Sequence, residues 1–462
     1  MALEVFDSMQ RRKVLFESRQ PGEVAMYVCG PTVYDVPHLG HGRTALTYDM
    51  IRRYLRWSGL AVTMASNVTD IDDKIIRRAE MENRTESDVA DEFTIAYDKQ
   101  MSRLEILPAD SRPHATQFIE GMIEVIDQLL KNDAAYELEG KGIYFSVQND
   151  TGYGKLAGRS LDQLLEDAGS RVGVDESKKS PLDFALWKSA KPGEPSWDTP
   201  WGKGRPGWHT ECVAMSLSAL GEGFDIHGGG DDLTFPHHQN ELAQVNALGK
   251  PFARHWIHSS MVNVSGEKMS KSLGNFTNLE EAIDIAGPRA LRLLALQTHY
   301  RKAMEMGRES LMAASEAVKR LDSFGRRMAQ ADVAITDTKM DEASKKSFIS
   351  AMDDDFSTPS AVDTAFRLMR QANAALDDEN VAVASEIASA CISIFAVLGI
   401  SVDTGASTEP KDSAVEIEIM MKRRFDARSE KNFAVADQIR DELLEMGITV
   451  EDTPNGAIWF RA

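Results

Sequence analysis

The sequence predicts an α/β protein in which a doubly wound parallel sheet, split by an insertion, is followed by a helical bundle and a small α+β C-terminal unit. Three observations carry that expectation. Short apolar runs at 24–29, 61–65 and 224–227, bounded by turn residues and separated by helical stretches, read as buried strands. Further on, apolar residues recur every three or four positions through 290–294, 313–328, 361–376 and 382–398, the pattern of packed helices. Finally, a stretch at 401–413 rich in Ser, Thr, Pro and acidic residues reads as a linker; beyond it lie a basic helical pattern at 417–446 and a hairpin signature around Pro454-Asn455-Gly456.

Taken in order, the first strand ends at Gly30-Pro31, and a turn leads to Pro37-His38-Leu39-Gly40-His41-Gly42-Arg43. Ala45, Leu46, Met50, Ile51, Tyr54 and Leu55 then repeat at helical spacing, which sets that string at a helix entrance. Strand, glycine turn and helix form a phosphate-binding geometry. The second strand leads into Asn67-Val68-Thr69-Asp70-Ile71-Asp72-Asp73-Lys74 and the third into Gly228-Gly229-Gly230-Asp231-Asp232. Residues 112–199, polar and rich in Gly and Pro, break the alternation, so the sheet domain is expected in two halves, 1–111 and 200–254, around an insertion. A segment at 255–310 carries Lys268-Met269-Ser270-Lys271-Ser272, followed by the bundle at 311–400, the linker and a last unit at 414–462.

A chain of 462 residues is too long for one ordinary core and suits two to four domains. It has no apolar run near the roughly 20 residues of a membrane helix and does not open on a basic segment leading into an apolar one, so a cytoplasmic location without a membrane partner is expected. Three cysteines, Cys29, Cys212 and Cys391, exclude a disulfide scaffold, and Cys391, in an apolar run, is expected in the core. A net charge of -20 argues against broad affinity for polyanions, so an RNA partner must be read by local basic faces.

His38 and His41, three apart at the helix entrance, share a face beside unpaired backbone N–H groups, where a triphosphate is favoured, and Gly40 allows close approach to the backbone. Lys268 and Lys271 lie in a loop flanked by Gly266 and Gly274, suited to swinging ammonium groups onto phosphate oxygens. Cys29 ends the first strand, Cys212 follows Trp208-His209-Thr210-Glu211, and His237 and Glu241 are four apart on one helical face. Two thiolates, an imidazole and a carboxylate can form a zinc shell; two small buried core residues beside a polar helix start is the plainer alternative. Six of the ten histidines fall between His209 and His258, which marks a site wall. His227, at a strand end beside the glycines, belongs in the ligand crevice of such a sheet, whereas His238, His255 and His258 can be ordinary hydrogen-bonded side chains.

The order and wide separation of the His38–His41 and Lys268–Ser272 strings resemble the paired ATP signatures of the class I aminoacyl-tRNA synthetases. With residues 26–35, 67–74, 207–212, 224–241 and 268–275 added, the chain resembles the cysteinyl-tRNA synthetase family from end to end. The resemblance implies a Rossmann-type catalytic domain, a stem-contact segment at 255–310 and an anticodon-binding unit. It also implies ATP-dependent activation of L-cysteine and transfer to the 3' end of tRNA(Cys), with Mg2+ accompanying ATP. One zinc per chain would be held by Cys29, Cys212, His237 and Glu241 and would select the substrate thiol, which a serine hydroxyl cannot match. His38, His41, Lys268 and Lys271 would be catalytic and would bind ATP together with Gly40, Gly229, Gly230 and Asp232. Cys29, Gly30, Thr69, Asp70 and Trp208 would bind the amino acid, and Arg424, Arg428, Phe433, Asp437 and Arg440 would read the anticodon. A monomer is expected. Two positions depart from the family pattern: Gln239 stands where glutamate is frequent, and Phe433, where tryptophan is common, keeps a stacking face but lacks the indole N–H. The competing readings are a mycothiol-pathway cysteine ligase, whose C-terminus is expected to be shorter, and a catalytically silent tRNA- or zinc-binding paralogue, which loss of a motif histidine or lysine would favour.

Overall fold

The chain opens with a hairpin, β1 (Glu4–Asp7) and β2 (Arg12–Leu15), and then enters β3 (Glu23–Val28), whose last three residues are buried. The structure, a computed structural model, describes residues 3–169, 177–264, 278–335, 340–404, 420–421, 423–425, 427–428, 432–445, 448–453 and 456–461. It divides into two units, Met1–Thr404 and Gly405–Ala462.

In the first unit β3 is followed by α1 (Leu39–Trp57) and β4 (Ala61–Ser66), then by α2 (Asp73–Glu82) and α3 (Glu86–Arg103). The insertion contributes α4 (Ile119–Lys131), β5 (Ala135–Leu138), β6 (Gly142–Phe145), α5 (Leu161–Gly169), β7 (Phe184–Ser189) and β8 (Gly204–Pro206). Next come α6 (Trp208–Leu220), β9 (Ile226–Gly230), α7 (Gln239–Ala247) and β10 (His255–Ser259). The central sheet has the order β10-β9-β3-β4 with every neighbour parallel. Only β3 reads as a largely apolar, buried run, as a parallel strand covered on both faces does; β4, at the sheet edge, alternates exposed and buried residues, and β9 and β10 carry glycine and histidine. The order departs from β3 in both directions, so the carboxyl ends of β3 and β9 open the crevice where ligands bind in such sheets. Cys29 lies there, its N–H donating to Gly228 O at 2.9 Å.

Three expected boundaries shift. β8 pairs with β7 in the antiparallel sheet β5-β6-β7-β8, so strand pairing of the insertion runs past residue 199. The strand is only Gly-Arg-Pro, too short for a pattern, and it is set by proximity: a Cβ on the following Gly207 would stand 1.9 Å from Ala185 O. At the other end, Ser111 and His114 bridge in parallel to Ala65 and Val68, extending the central sheet past residue 111. β10 completes that sheet, although residue 255 was expected to begin the next segment.

β11 (Val262–Val264) pairs in parallel with β12 (Met304–Met306), and α8 (Leu279–Ala286) and α9 (Pro288–Gln297) lie between them in sequence. The bundle consists of α10 (Arg308–Gln330), α11 (Glu342–Met352), α12 (Thr358–Asp377) and α13 (Val381–Val397); α11 has no counterpart in the sequence expectation. Cys391 is fully buried there and its thiol donates to Ala365 O at 3.2 Å, the core role expected. α9 meets α1 around a buried pair: Arg292 of α9 donates to Asp49 of α1 at 2.5 Å, and Arg53 to the same carboxylate at 2.8 Å. Among the described residues no helix is long and apolar enough to cross a membrane.

The second unit contains α14 (Phe433–Glu445) and the hairpin β13 (Ile448–Thr453) and β14 (Gly456–Arg461), antiparallel with Thr453 opposite Gly456. Its core is small: Ile439, Leu443 and Ile448, with Met420, Met421 and Val450 against them. The hairpin falls where Asn455-Gly456 places it.

Candidate active site and metal centre

Cys29 follows β3, Cys212 lies in the second turn of α6, His237 in the turn before α7, and Glu241 in the first turn of α7. One ligand atom from each lies within 4.8 Å of all the others. The two sulfurs are 3.7 Å apart and Cys29 Sγ is 3.7 Å from Glu241 Oε1. Zinc–sulfur bonds at tetrahedral angles separate two thiolates by about 3.8 Å, so the cysteines have the spacing such an ion requires. His237 Nε2 stands 3.0 Å from Glu241 Oε1, and opening this pair by a few tenths of an ångström completes the shell. All four side chains are buried. Burial and then Cys212 push the Cys29 thiol well up, burial raises the Glu241 carboxyl, and burial holds His237 well below the usual imidazole range. Each of these shifts favours the uncharged form, and a divalent ion held there would reverse the balance and draw out the thiolates.

Cys29, His227, His238 and Glu241 form a second convergent group. His227 Nε2 is 2.7 Å from Glu241 Oε2, hydrogen-bond length and well inside the roughly 3.4 Å between nitrogen and oxygen ligands of one tetrahedral ion. His227 thus reads as the partner that orients Glu241, the usual support for a ligating carboxylate. His238 does the same for Cys29, with Nε2 3.3 Å from Sγ, and continues through Nδ1 to His258 Nε2 (2.8 Å), whose Nδ1 meets Ser8 Oγ (2.7 Å). Trp208 stacks on His237, ring centroids 3.9 Å apart, and His209 Nδ1 approaches His237 Nδ1 at 2.9 Å.

The nucleotide side is built on the start of α1. His38 caps the helix: its Nδ1 accepts from His41 N at 3.4 Å, while His38 N donates to His41 Nδ1 at 3.2 Å. The rings stack at 3.8 Å. Gly40 is required by that stack as much as by any ligand, since a Cβ there would stand 2.9 Å from His38 Cε1. Burial, then the His38 ring, pushes His41 down to about 3, and His38 is also lowered, first by burial. Both rings stay neutral and offer ring nitrogens and backbone N–H groups to a phosphate. The folded His41 pKa lies below the ordinary 6.5, so the stability it contributes is complete above about pH 6.5 and declines toward pH 3 as the unfolded chain takes the proton first. The loss of denaturant midpoint between about pH 7 and pH 5 is expected to be smaller in His41→Gln than in the parent; an equal loss would count against this assignment.

The glycine run is partly a strand. A Cβ on Gly228 would meet the Tyr48 ring at 2.3 Å, and on Gly229 would meet Leu233 at 2.9 Å and His238 at 3.0 Å. At these two positions the missing side chain makes room for packing, while Gly230 and the exposed Asp232 follow at the strand's end. Lys268 and Lys271 lie outside the described residues. Their stretch follows β11 and ends at Asn278, which bridges to His38; the next residue, Leu279, donates its N–H to Pro37 O at 3.0 Å and fills the space over Gly42.

The amino-acid pocket also departs from expectation. Gly30 N donates to Asn67 Oδ1 at 2.9 Å, and a Cβ on Gly30 would collide with Asn67 O at 1.7 Å, so this glycine is fixed by two chains crossing. Thr69 is 1% exposed, with its hydroxyl between Asn67 Nδ2 (3.2 Å) and Glu211 Oε2 (3.1 Å). Asp70 accepts from Thr116 N (2.9 Å) and Oγ1 (2.6 Å) and faces His114. Both side chains are committed to the scaffold, which weakens the contact expected of them with a substrate ammonium group.

Residues 15–316 match the family described as the tRNA synthetases class I (C) catalytic domain, 347–403 the DALR domain, and 412–461 the cysteinyl-tRNA ligase anticodon binding domain. The cysteine--tRNA ligase of Thermococcus onnurineus is 42% identical over 480 residues, covering 100% of this chain and 99% of the relative. The chain belongs to the cysteine--tRNA ligase family. The Thermotoga maritima cysteine--tRNA ligase is 44% identical, with 98% and 99% covered. A solved structure of Mycobacterium tuberculosis methionyl-tRNA synthetase in complex with methionyl-adenylate shares the fold, at TM-score 0.57 and 13% identity, over 81% of this chain and 90% of that one.

In this family member the C-terminal candidates separate by exposure. Phe433 is 60% exposed, Arg428 is exposed, and Asp437 and Arg440 are exposed and paired at 3.3 Å. Arg424 is buried, at 4% exposure, so it stands apart from the face expected to read bases. Two residues escaped the sequence reading. Tyr27 is buried, its phenol raised by burial and then by Cys212. Glu211, raised well above the carboxylate range by burial, holds Thr69 and has no partner for Oε1 among the described residues. Its position beside Cys212 was the available signal, but a lone acid in a helix carries none of its burial.

Proposed function

We propose that this chain is a cysteine--tRNA ligase, activating L-cysteine with ATP and transferring it to the 3' end of tRNA(Cys). The observation that carries the reading is the buried Cys29, Cys212, His237 and Glu241 set, at the same sheet edge as the His38–His41 helix entrance. Zinc, about one per chain, when bound there supplies a soft Lewis acid for the substrate thiol, which serine matches poorly. Trp208 walls the pocket against His237 and excludes water, and His227 and His238 hold Glu241 and Cys29 in orientation.

The carboxylate of cysteine attacks the α-phosphorus of ATP, and pyrophosphate leaves with Mg2+. His38, His41 and the N–H groups of the first turn of α1 hold the phosphates, with Lys268 and Lys271 neutralising charge as it develops. Gly40 keeps the His38 ring seated, and Gly229, Gly230 and Asp232 border the nucleoside. A hydroxyl of the terminal adenosine of tRNA then attacks the carbonyl of the resulting cysteinyl-adenylate and takes the cysteinyl group as AMP leaves, while Arg428, Phe433, Asp437 and Arg440 engage the anticodon. Gly30, Thr69 and Asp70 support the pocket from behind. The enzyme works as a monomer in the cytoplasm. Charging of tRNA(Cys) with labelled cysteine tests the reading: ATP- and cysteine-dependent charging is expected, and transfer to glucosaminyl-inositol in its place would contradict it.

A further inference from the structure

Asp355 lies in the turn between α11 and α12, where it and Phe356 both adopt left-handed backbone, φ 57° and 51°. Two successive non-glycine residues in that region persist only where their surroundings hold them. Asp355 is fully buried and its carboxylate is shared among separate parts of the fold. Oδ1 accepts from Phe6 N of β1 (2.8 Å) and from Tyr300 Oη (2.6 Å); Oδ2 accepts from Arg301 Nε (2.6 Å), whose guanidinium also lies 4.3 Å from the centre of the Phe6 ring. The backbone around it joins β1 as well, with Asp355 N donating to Glu4 O and Glu4 N to Asp353 O, both at 2.9 Å.

The segment that Asp355 grips is held from two further sides. Tyr300 O accepts from Ser260 N (2.7 Å) and Met304 N donates to Met261 O (2.9 Å), tying it to the residues between β10 and β11. From the start of α1, buried Arg43 donates to Ala295 O (2.5 Å), Thr298 O (3.0 Å) and His299 O (3.0 Å). Residues 298–306 are thus braced by α1 through Arg43, by β11 through backbone bonds, and by the bundle through Asp355.

We propose that Asp355 is a positioning residue that couples the helical bundle to residues 298–306 and so keeps β11 aligned with α1 during aminoacyl transfer. The proposal rests on the ligase reading above. Activation engages ATP and cysteine in the catalytic half alone, whereas transfer loads the molecule with a tRNA, and force on the bundle reaches the sheet through the elements joined at this carboxylate. Every bond to this carboxylate is charge-assisted, and Arg301 supplies the one among these three in which donor and acceptor are opposite charges.

The test uses Asp355→Asn in the full chain, which keeps the size and can still accept from Phe6 and Tyr300 but loses the ion pair. Cysteine-dependent pyrophosphate exchange and the KM for cysteine are expected within about twofold of the parent, while kcat for tRNA charging falls about tenfold, the scale of one lost charge-assisted hydrogen bond. Arg301→Gln is expected to show the same split, and the double variant to be no worse than either single, because both remove one interaction. Exchange and charging falling in parallel with Tm would reduce Asp355 to fold support and overturn the proposal, as would additive losses in the double variant. A parent that exchanges pyrophosphate but charges no tRNA would instead sink the ligase reading itself.

Discussion

Cys212→Ser is expected to lose its metal and, with it, cysteine-dependent pyrophosphate exchange by about a thousandfold, roughly 4 kcal/mol of transition-state stabilisation. The sulfurs of Cys29 and Cys212 are 3.7 Å apart, so each is placed for a metal that the other also binds. A serine oxygen is shorter-bonded, harder and far less acidic than a thiol, and it leaves Cys29 beside a site short of one soft donor. The substitution is nearly isosteric, so the fold should remain, and circular dichroism and Tm in the presence of chelator should match those of the chelated parent. Cys391→Ser provides the contrast. That thiol is buried in the bundle, donating to Ala365 O, and its loss should leave metal content and exchange intact. Metal analysis with exchange assays on both variants decides the point; a Cys212→Ser protein that keeps zinc and full exchange would remove Cys212 from the shell.

Asp49→Ala should be the most damaging single change to stability away from the active site, at about 3–5 kcal/mol. Asp49 is buried on α1, where it accepts from Arg292 (2.5 Å), Arg53 (2.8 Å) and the Leu107 N–H (2.9 Å). Arg292 is itself 2% exposed. Removing the carboxylate leaves a guanidinium buried without its counter-charge, and that penalty exceeds the modest net value of the pair itself. Asp49→Asn, which can still accept from Leu107 N–H, should cost less, and Asp49→Ala combined with Arg292→Met should recover part of the loss. Denaturant midpoints of the first unfolding transition measure this order. Equal midpoints for Asp49→Ala and the parent would show that solvent reaches Arg292.

The sequence exposes those features whose signal is local. β3 was readable because a parallel strand covered on both faces is a largely apolar run, and β4, at the sheet edge, because a short mostly apolar stretch follows the Gly59 turn. β9 starts two residues later than its apolar run and ends in three glycines, which read as a turn; nothing local says that Tyr48 on α1 needs the space over Gly228. β8 and the β1–β2 hairpin were missed because three or four mixed residues have no period, and their pairing is decided by distant partners. Cys29, Cys212, His237 and Glu241 could be singled out by rare residue types and the four-residue spacing of His237 and Glu241, but two buried core cysteines remained open until the family resemblance joined the four. The division of labour among the histidines was not. The sequence set His227 apart at a strand end, but only the long-range bonds to Glu241, Cys29 and Ser8 show what His227, His238 and His258 each hold. Thr69 and Asp70 show the opposite case: their motif is plain, yet the partners of their polar atoms, Glu211 and Thr116, lie far along the chain and have no local signal.

The central claim is that a metal held by Cys29, Cys212, His237 and Glu241 selects cysteine by its thiol. Its most direct test is amino-acid-dependent pyrophosphate exchange with cysteine and with serine, run on protein of known metal content before and after chelation and again after zinc is restored. The expected result is exchange with cysteine alone, in proportion to bound zinc, lost on chelation and recovered with zinc. Undiminished cysteine-dependent exchange by the metal-free protein would contradict it.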